Sequence, residues 1–343
     1  MKLALISDAW HPQVNGVVRT WGTICEELES MGHEVLVVHP DQFRTMACPT
    51  YPEIRLALMP GRRLRRIVRE FGPDAVHIAT EGPLGQAGRK LCLQEGWHFT
   101  TSFHTRFPEY IHQRIGLPID WSYRWIRNFH SPAKNVLVPT KTVQHDLERR
   151  GFENVQLWNR GVDLSLFRTD LTPAVQLPRP VFLSVGRVAP EKNLEAFLSL
   201  ELPGSKLVVG DGPARKSLEA RYPNVVFAGT RHGEELARYY ASADVFVFPS
   251  QTDTFGLVML EAMASGLPVA AFPVTGPIDV VGPNGPGVLS EDLASACIQA
   301  LAVDRAACRA FALEHTWRRC TETLLSHLVP VHPGRAGAVP YGA

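Results

Sequence analysis

Four charged side chains and one histidine define the chemistry open to this 343-residue chain. Asp253 and Glu261 stand eight residues apart in the stretch Asp253-Thr254-Phe255-Gly256-Leu257-Val258-Met259-Leu260-Glu261. An apolar run, Val245-Phe246-Val247-Phe248, precedes them and reads as a buried parallel strand. The pattern then predicts a polar loop, a helix over 255–264, a stop at Gly266 and a strand over 269–272, which is a βαβ unit. The N–H groups of Phe255, Gly256 and Leu257 would lie at the positive end of that helix, a place suited to a phosphate. Eight helical residues rise about 12 Å, so the two carboxylates can meet opposite ends of an extended ligand whose diphosphate sits between them. A second loop, Gly186-Arg187-Val188-Ala189-Pro190-Glu191-Lys192, follows another expected strand and offers two cations. Facing a helix N-terminus, such cations can bind a diphosphate and stabilise it as it leaves. His104 follows a third expected strand at its carboxyl end, where open α/β sheets place ligands.

Strands and helices alternate along the whole chain, and that alternation is what would position these groups. In the first half, strands are expected over 2–7, 35–38, 74–79, 98–102 and 136–138. Helices are expected over 17–31, through the stretch 55–71, from 83 to 96, over 121–130 and up to Gly151. Asn15-Gly16 sits at the first strand-to-helix turn, where a glycine lets backbone approach a ligand closely. No G-x-G-x-x-G occurs, so a dinucleotide fingerprint is absent. The Pro- and Thr-rich segment 169–180 reads as a linker. Beyond it, strands over 181–185, 206–209, 225–227, 245–248 and 269–272 alternate with helices, ending in helices over 293–302 and 305–323.

Taken together these motifs resemble the retaining glycosyltransferases of family 4. The acid-x7-Glu spacing of Asp253 and Glu261, the Gly186-Arg187…Lys192 loop, Ser102-Phe103-His104-Thr105 and Gly16 fall in the family's order, and Asn159-Arg160-Gly161-Val162-Asp163 with Phe167 resembles its interdomain junction. The chain departs in two places: Asp253 stands where glutamate is usual, and Arg160 interrupts the Asn-Gly pair. The resemblance implies an α/β GT-B fold, two Rossmann-like domains facing a cleft, with a C-terminal helix crossing back to the N-terminal domain. It implies an acceptor-binding domain over 1–168, the linker 169–180, a sugar-nucleotide domain over 181–312, the crossing helix over 313–330 and a disordered tail over 331–343. It further implies that Arg187 and Lys192, with Gly186, Thr254 and the backbone of Phe255, Gly256, Leu257 and Val258, hold the donor diphosphate. Gly16 would touch the donor phosphate, Glu261 would hold the ribose, and Ala228 and Arg231 would flank the base. Asp253 and His104 would orient the transferred hexose, with front-face displacement as the implied route.

Composition narrows the alternatives. A formal net charge of +1 argues against a general nucleic-acid binder. The six cysteines form no C-x-x-C, so neither a zinc site nor a disulfide framework is indicated, and a cytoplasmic setting is expected. No D-x-D occurs, so no metal and no cofactor is expected, the two cations serving the diphosphate instead. No run approaches the ~20 apolar residues that span a bilayer. Five arginines, Arg62, Arg63, Arg65, Arg66 and Arg69, crowd an amphipathic stretch that could lie on an anionic membrane. The aromatic-basic stretch 121–130 could meet a lipid interface or form an ordinary core helix.

Segments 8–17 and 77–85 resemble bacterial members that glycosylate membrane lipids. The expectation is transfer of glucose or glucuronate from a UDP-sugar to a lipid such as diacylglycerol, at the inner face of the cell membrane. The alternative is a GDP-mannose-dependent mannosyltransferase acting on a lipid or a soluble glycan. A sugar-nucleotide epimerase on the same fold would need paired acid and base groups around the sugar, and His104 is the one clear candidate.

Overall fold

The computed structural model describes residues 1–13, 15–48, 51–109 and 116–332. The chain forms two compact units, one comprising 1–159 with 317–343 and the other 160–316.

In unit 1, strands β1 (Lys2–Ile6), β2 (Glu34–Val38), β5 (Ala75–Ile78), β6 (Thr100–Ser102), β7 (Val136–Val138) and β8 (Val155–Leu157) make a parallel sheet in the order β2-β1-β5-β6-β7-β8. Leu3, Ala4, Leu5 and Ile6 are all fully buried, because helices cover both faces of a parallel sheet. Helices α2 (Gly61–Phe71), α3 (Pro83–Glu95) and α4 (Ile119–His130) put Leu64, Val68, Leu84, Leu91 and Phe129 into one cluster with Ala4, Ile6, Val76 and Ile78. Helix α1 (Gly16–Ser30) buries Trp21, Ile24 and Leu28, and Glu27 on it lies 3.9 Å from Arg318 of the chain's last described helix, Trp317–His327.

Three of the expected elements differ in the structure. An antiparallel hairpin, β3 (Thr45–Cys48) with β4 (Tyr51–Ala57), occupies the start of the stretch expected to be helical over 55–71. Pro60 opens the helix instead, as suits a residue with no N–H to offer. Helix 305–323 is in fact two, Arg305–Leu313 and Trp317–His327, separated where His315 stacks on Phe311 at 4.6 Å. The expected tail from 331 begins with a packed residue: Val331 is buried and its N–H bonds to Asp74 O at 2.9 Å. Residues 333–343 lie outside the described residues.

In unit 2, β9 (Val181–Val185), β10 (Ser205–Val209), β11 (Val226–Gly229), β12 (Val245–Phe248), β13 (Val269–Ala271) and β14 (Gly287–Leu289) make a parallel sheet in the order β11-β10-β9-β12-β13-β14. The period of two divides each strand between two cores: Leu183, Phe246 and Phe248 enter one, Phe182, Val245 and Val247 the other. The order reverses between β9 and β12, so the crevice beyond their carboxyl ends is the ligand position of such a sheet. The segment 160–180 belongs to this unit rather than to the first domain and a linker. Phe167 is fully buried, Ala174 N bonds to Ser242 Oγ at 2.9 Å, and Arg309 reaches Ala264 O at 2.7 Å and Leu164 O at 3.1 Å. Its prolines and threonines hide a set of apolar side chains, Leu166, Leu171, Val175 and Leu177, that pack on the core.

Candidate functional site

Two loops meet at the reversal point of unit 2. The loop after β9 carries Arg187, Glu191 and Lys192, and the loop after β12 carries Thr252 and Asp253. Lys192 Nζ donates to Asp253 Oδ1 at 2.6 Å, with the two side chains 29% and 21% exposed. Thr252 Oγ1 donates to Glu191 O at 3.3 Å, and Asn193 Nδ2 to Pro249 O at 3.1 Å. The cationic lip and the first carboxylate are therefore one structure, where the sequence suggested two that act separately. The other oxygen, Asp253 Oδ2, is buried and takes no hydrogen bond from the described residues. A buried acceptor of that kind calls for a partner, and a ligand hydroxyl is a suitable one. Arg187 stands half-exposed, 3.9 Å from Glu191 Oε1.

The loop ends at Gly256, whose φ of +85° turns the chain into helix α9 (Leu257–Ala264). The helix starts two residues later than the pattern predicts, so its first-turn N–H groups are those from Leu257 and Val258 onward. Phe255 is buried in the core, and Thr254 is half-buried. Glu261 is only 2% exposed, and Tyr240 OH donates to its Oε2 at 2.8 Å. Tyr240 comes from helix α8 (Gly233–Ala241) and was legible only as one apolar position among several. Tyr240→Phe is expected to raise KM for a ligand held by Glu261 about tenfold with kcat nearly unchanged, since one hydrogen bond to a carboxylate contributes roughly 1.5–3 kcal/mol. Steady-state kinetics checks this, and an unchanged KM would remove Tyr240 from the site.

The neighbouring loops are drawn tight. Gly186 N bonds to Val209 O at 3.0 Å, Val188 N to Asp211 O at 2.9 Å and Gly210 N to Gly229 O at 2.9 Å. Gly210 has a φ of +142°, and a Cβ there would lie 1.9 Å from Gly186 O. Ala228 lies half-buried in β11, while Arg231, just before α8, is held by that helix, 3.3 Å from Glu235 and 5.7 Å over the Tyr239 ring.

In unit 1 the corresponding reversal lies between β1 and β5. Asp8 follows β1, and its carboxylate accepts from Leu84 N at 2.8 Å, Gly85 N at 3.1 Å and Thr80 Oγ1 at 2.9 Å. Burial pushes its pKa up to about 6 against those bonds. Gly16 is exposed at the start of α1, where Asn15 Oδ1 already accepts from Val17 N and Val18 N at 3.0 Å each. His104 stands half-buried just beyond β6. Trp21 Nε1 donates to His104 Nε2 at 3.0 Å, and Ser102 Oγ lies 2.9 Å from the same nitrogen. An indole N–H can only donate, so His104 Nε2 accepts and the neutral ring carries its proton on Nδ1. Ser102 in turn meets His77 Nε2 at 3.0 Å, and His77 Nδ1 meets Thr100 at 2.8 Å. Trp21 is fully buried on the inner side of α1, and its helical spacing there does not reveal the indole N–H that meets the histidine.

The five arginines do not share one open face. Arg65 donates to Gln94, Arg69 to Glu95 at 2.6 Å, and Arg63 lies 5.7 Å over the Phe43 ring. Arg62 and Arg66 are exposed, the latter 4.0 Å from Glu70. The stretch 121–130 is likewise divided, with Tyr123, Ile126 and Phe129 buried but Trp121 and Trp125 exposed. No helix among the described residues is long and apolar enough to cross a membrane, and no cluster among them could hold a metal ion.

Comparison with known proteins matches residues 14–166 to the model of "Glycosyltransferase Family 4" and residues 179–303 to that of "Glycosyl transferases group 1". A GDP-mannose-dependent alpha-mannosyltransferase of Mycobacterium tuberculosis is 33% identical over 84% of this chain and 83% of its own length. An alpha-monoglucosyldiacylglycerol synthase of Streptococcus pneumoniae is 28% identical over 79% of this chain and 71% of its own. Among solved structures, HepE of Anabaena in complex with UDP and glucose superposes with a TM-score of 0.71 at 16% identity, over 95% of this chain and 98% of its own.

Proposed function

The chain belongs to the family 4 glycosyltransferases, and from that premise we propose that it transfers mannose from GDP-mannose, with retention of configuration, to an acceptor presented at an anionic membrane. The observation that carries the reading is the Lys192–Asp253 pair at the reversal point of unit 2, with Asp253 Oδ2 left for a ligand. Lys192 and Arg187 hold the donor diphosphate with the N–H groups that open α9, and no metal is needed to do so. Glu261, braced by Tyr240, holds the ribose. Asp253 Oδ2 accepts from a hydroxyl of the hexose. In the transfer step the acceptor oxygen bonds to the anomeric carbon on the face from which the diphosphate leaves. The C1–O bond to the diphosphate breaks, and the acceptor proton passes to a phosphate oxygen of the leaving group.

GDP-mannose ranks first because relatives at 32% and 33% identity bear that donor in their names. The second reading, UDP-glucose to diacylglycerol, is favoured by the synthases of Streptococcus pneumoniae and Acholeplasma laidlawii, at 28% and 26% identity. Exposed Met59, next to the arginine helix, together with Arg62 and Arg66, supports a peripheral position on a membrane. The test is transfer of label from GDP-mannose, UDP-glucose, UDP-glucuronate and UDP-galactose, one at a time, into anionic liposomes containing diacylglycerol or a total lipid extract. Label from GDP-mannose alone is the expected result. Label from a UDP-sugar alone would replace the donor, and slow donor hydrolysis with no labelled lipid would send the acceptor search to soluble glycans. Activity that disappears with EDTA would overturn the metal-free assignment.

A further inference from the structure

We propose that the membrane-facing surface is the outer side of the layer α2–α3–α4, with Trp121 and Trp125 as its interfacial anchors. This rests on the reading that the acceptor lies at an anionic membrane, and it names the surface that meets it. The three helices form one layer because their inner sides share a single apolar cluster against β1 and β5. Arg89 of α3 ties the layer further, donating to the carbonyls of Asn128 and Phe129 of α4 at 3.0 Å each. Their outer sides therefore face away from the sheet together.

On α4 the outer side is unusual for a soluble helix. Trp121 is 72% exposed and Trp125 54%, one turn apart on the same side. Arg124 lies between them and Arg127 beside them, both exposed. A groove of about 940 Å³ runs along the helix, its lining including these four side chains, Lys134 and, from the loop before β8, Phe152 and the carboxylate of Glu153. On α3, Leu93 is 49% exposed, and on α2 Arg62 and Arg66 complete the face. Indole rings favour the headgroup level of a bilayer, where the ring meets the acyl boundary and the N–H meets water or phosphate. Guanidinium and ammonium groups beside them meet lipid phosphates, and the groove has room for a headgroup. A soluble acidic saccharide could also stack on an indole beside an arginine. The spread of basic and apolar side chains over three adjacent helices favours a planar, extended partner over a single chain lying in the groove.

The experiment compares the full-length chain with Trp121→Ala/Trp125→Ala in sedimentation with phosphatidylcholine vesicles, with and without phosphatidylglycerol. Trp121→Phe/Trp125→Phe serves as the conservative control. The wild type is expected to bind the anionic vesicles with a blue-shifted tryptophan emission that brominated lipids quench. The double alanine variant should bind at least roughly tenfold more weakly and lose that quenching, and the double phenylalanine variant should recover most of the binding. If the wild type binds and the alanine variant binds equally, the anchors are wrong while the membrane reading stands. If the wild type ignores vesicles altogether, both fall. Binding of a hyaluronan hexasaccharide that depends on the two tryptophans, with no vesicle binding, would reassign the groove to a saccharide.

Discussion

Replacing Lys192 by alanine is expected to lower kcat/KM by roughly a thousandfold. Two effects act in the same direction. On the proposed reading, the variant loses a cation that would hold the diphosphate and stabilise it as the C1–O bond breaks. It also leaves Asp253, 21% exposed and 2.6 Å from the missing ammonium, as an uncompensated negative charge where the diphosphate must lie. The second effect has its own signature. In the double variant Lys192→Ala/Asp253→Asn, donor affinity should recover by about tenfold over the single variant, while kcat stays low because the sugar contact at Asp253 is altered. Folding stability should change by no more than about 1 kcal/mol, since the pair is partly exposed. Calorimetric titration of the donor and steady-state kinetics separate these terms. A Lys192→Ala enzyme within threefold of wild-type kcat/KM would remove the loop from the diphosphate site.

The second large effect concerns the frame that holds that loop. Gly210→Ala should destabilise unit 2 by about 4 kcal/mol, a magnitude reserved for overpacking and backbone strain together. A Cβ at this position would sit 1.9 Å from the carbonyl oxygen of Gly186, and that oxygen belongs to backbone that cannot rotate away. The φ of +142° adds strain for any L side chain. Tryptophan fluorescence offers a clean control, because Trp10, Trp21, Trp97, Trp121, Trp125, Trp158 and Trp317 all lie in unit 1. On urea unfolding, the circular dichroism change from unit 2 should move to lower denaturant while the fluorescence transition moves much less. Coincident transitions at the wild-type midpoint would refute the close approach of the two glycine loops.

Where residue type and spacing marked two loops after parallel strands, their grouping was readable. A lysine and an arginine five residues apart after one apolar strand, and two carboxylates eight residues apart after another, remain together because a parallel sheet brings the carboxyl ends of its strands to one edge. Their pairing was not readable. That Lys192 clasps Asp253 depends on how two loops 61 residues apart approach each other. Trp21 and Tyr240 escaped notice for a related reason. Each sits at an apolar position and is buried there, and only its polar tip reaches a candidate residue, His104 or Glu261. On the arginine helix the partners of two charges were hidden for the same reason as the Lys192 pairing: Gln94 and Glu95, which take Arg65 and Arg69, belong to the next helix. The segment 169–180 shows the limit of composition, since prolines and threonines marked a linker while Leu171, Val175 and Leu177 pack on a core.

The return of the last helix to the first unit bears on how the protein is born. Unit 2 is one continuous piece of chain, so a growing polypeptide holds all of it once Thr316 has been made. Unit 1 is not: 1–159 emerge first and wait for the helix that begins at Trp317. Until then Trp158, whose indole N–H bonds to Cys320 O at 3.0 Å, lacks its partner, and the side of α1 that meets Arg318 is bare. The unit whose chain is made first is thus the one completed last, and until Trp317–His327 arrives its side around Trp158 and Glu27 stays open to whatever else the nascent chain meets.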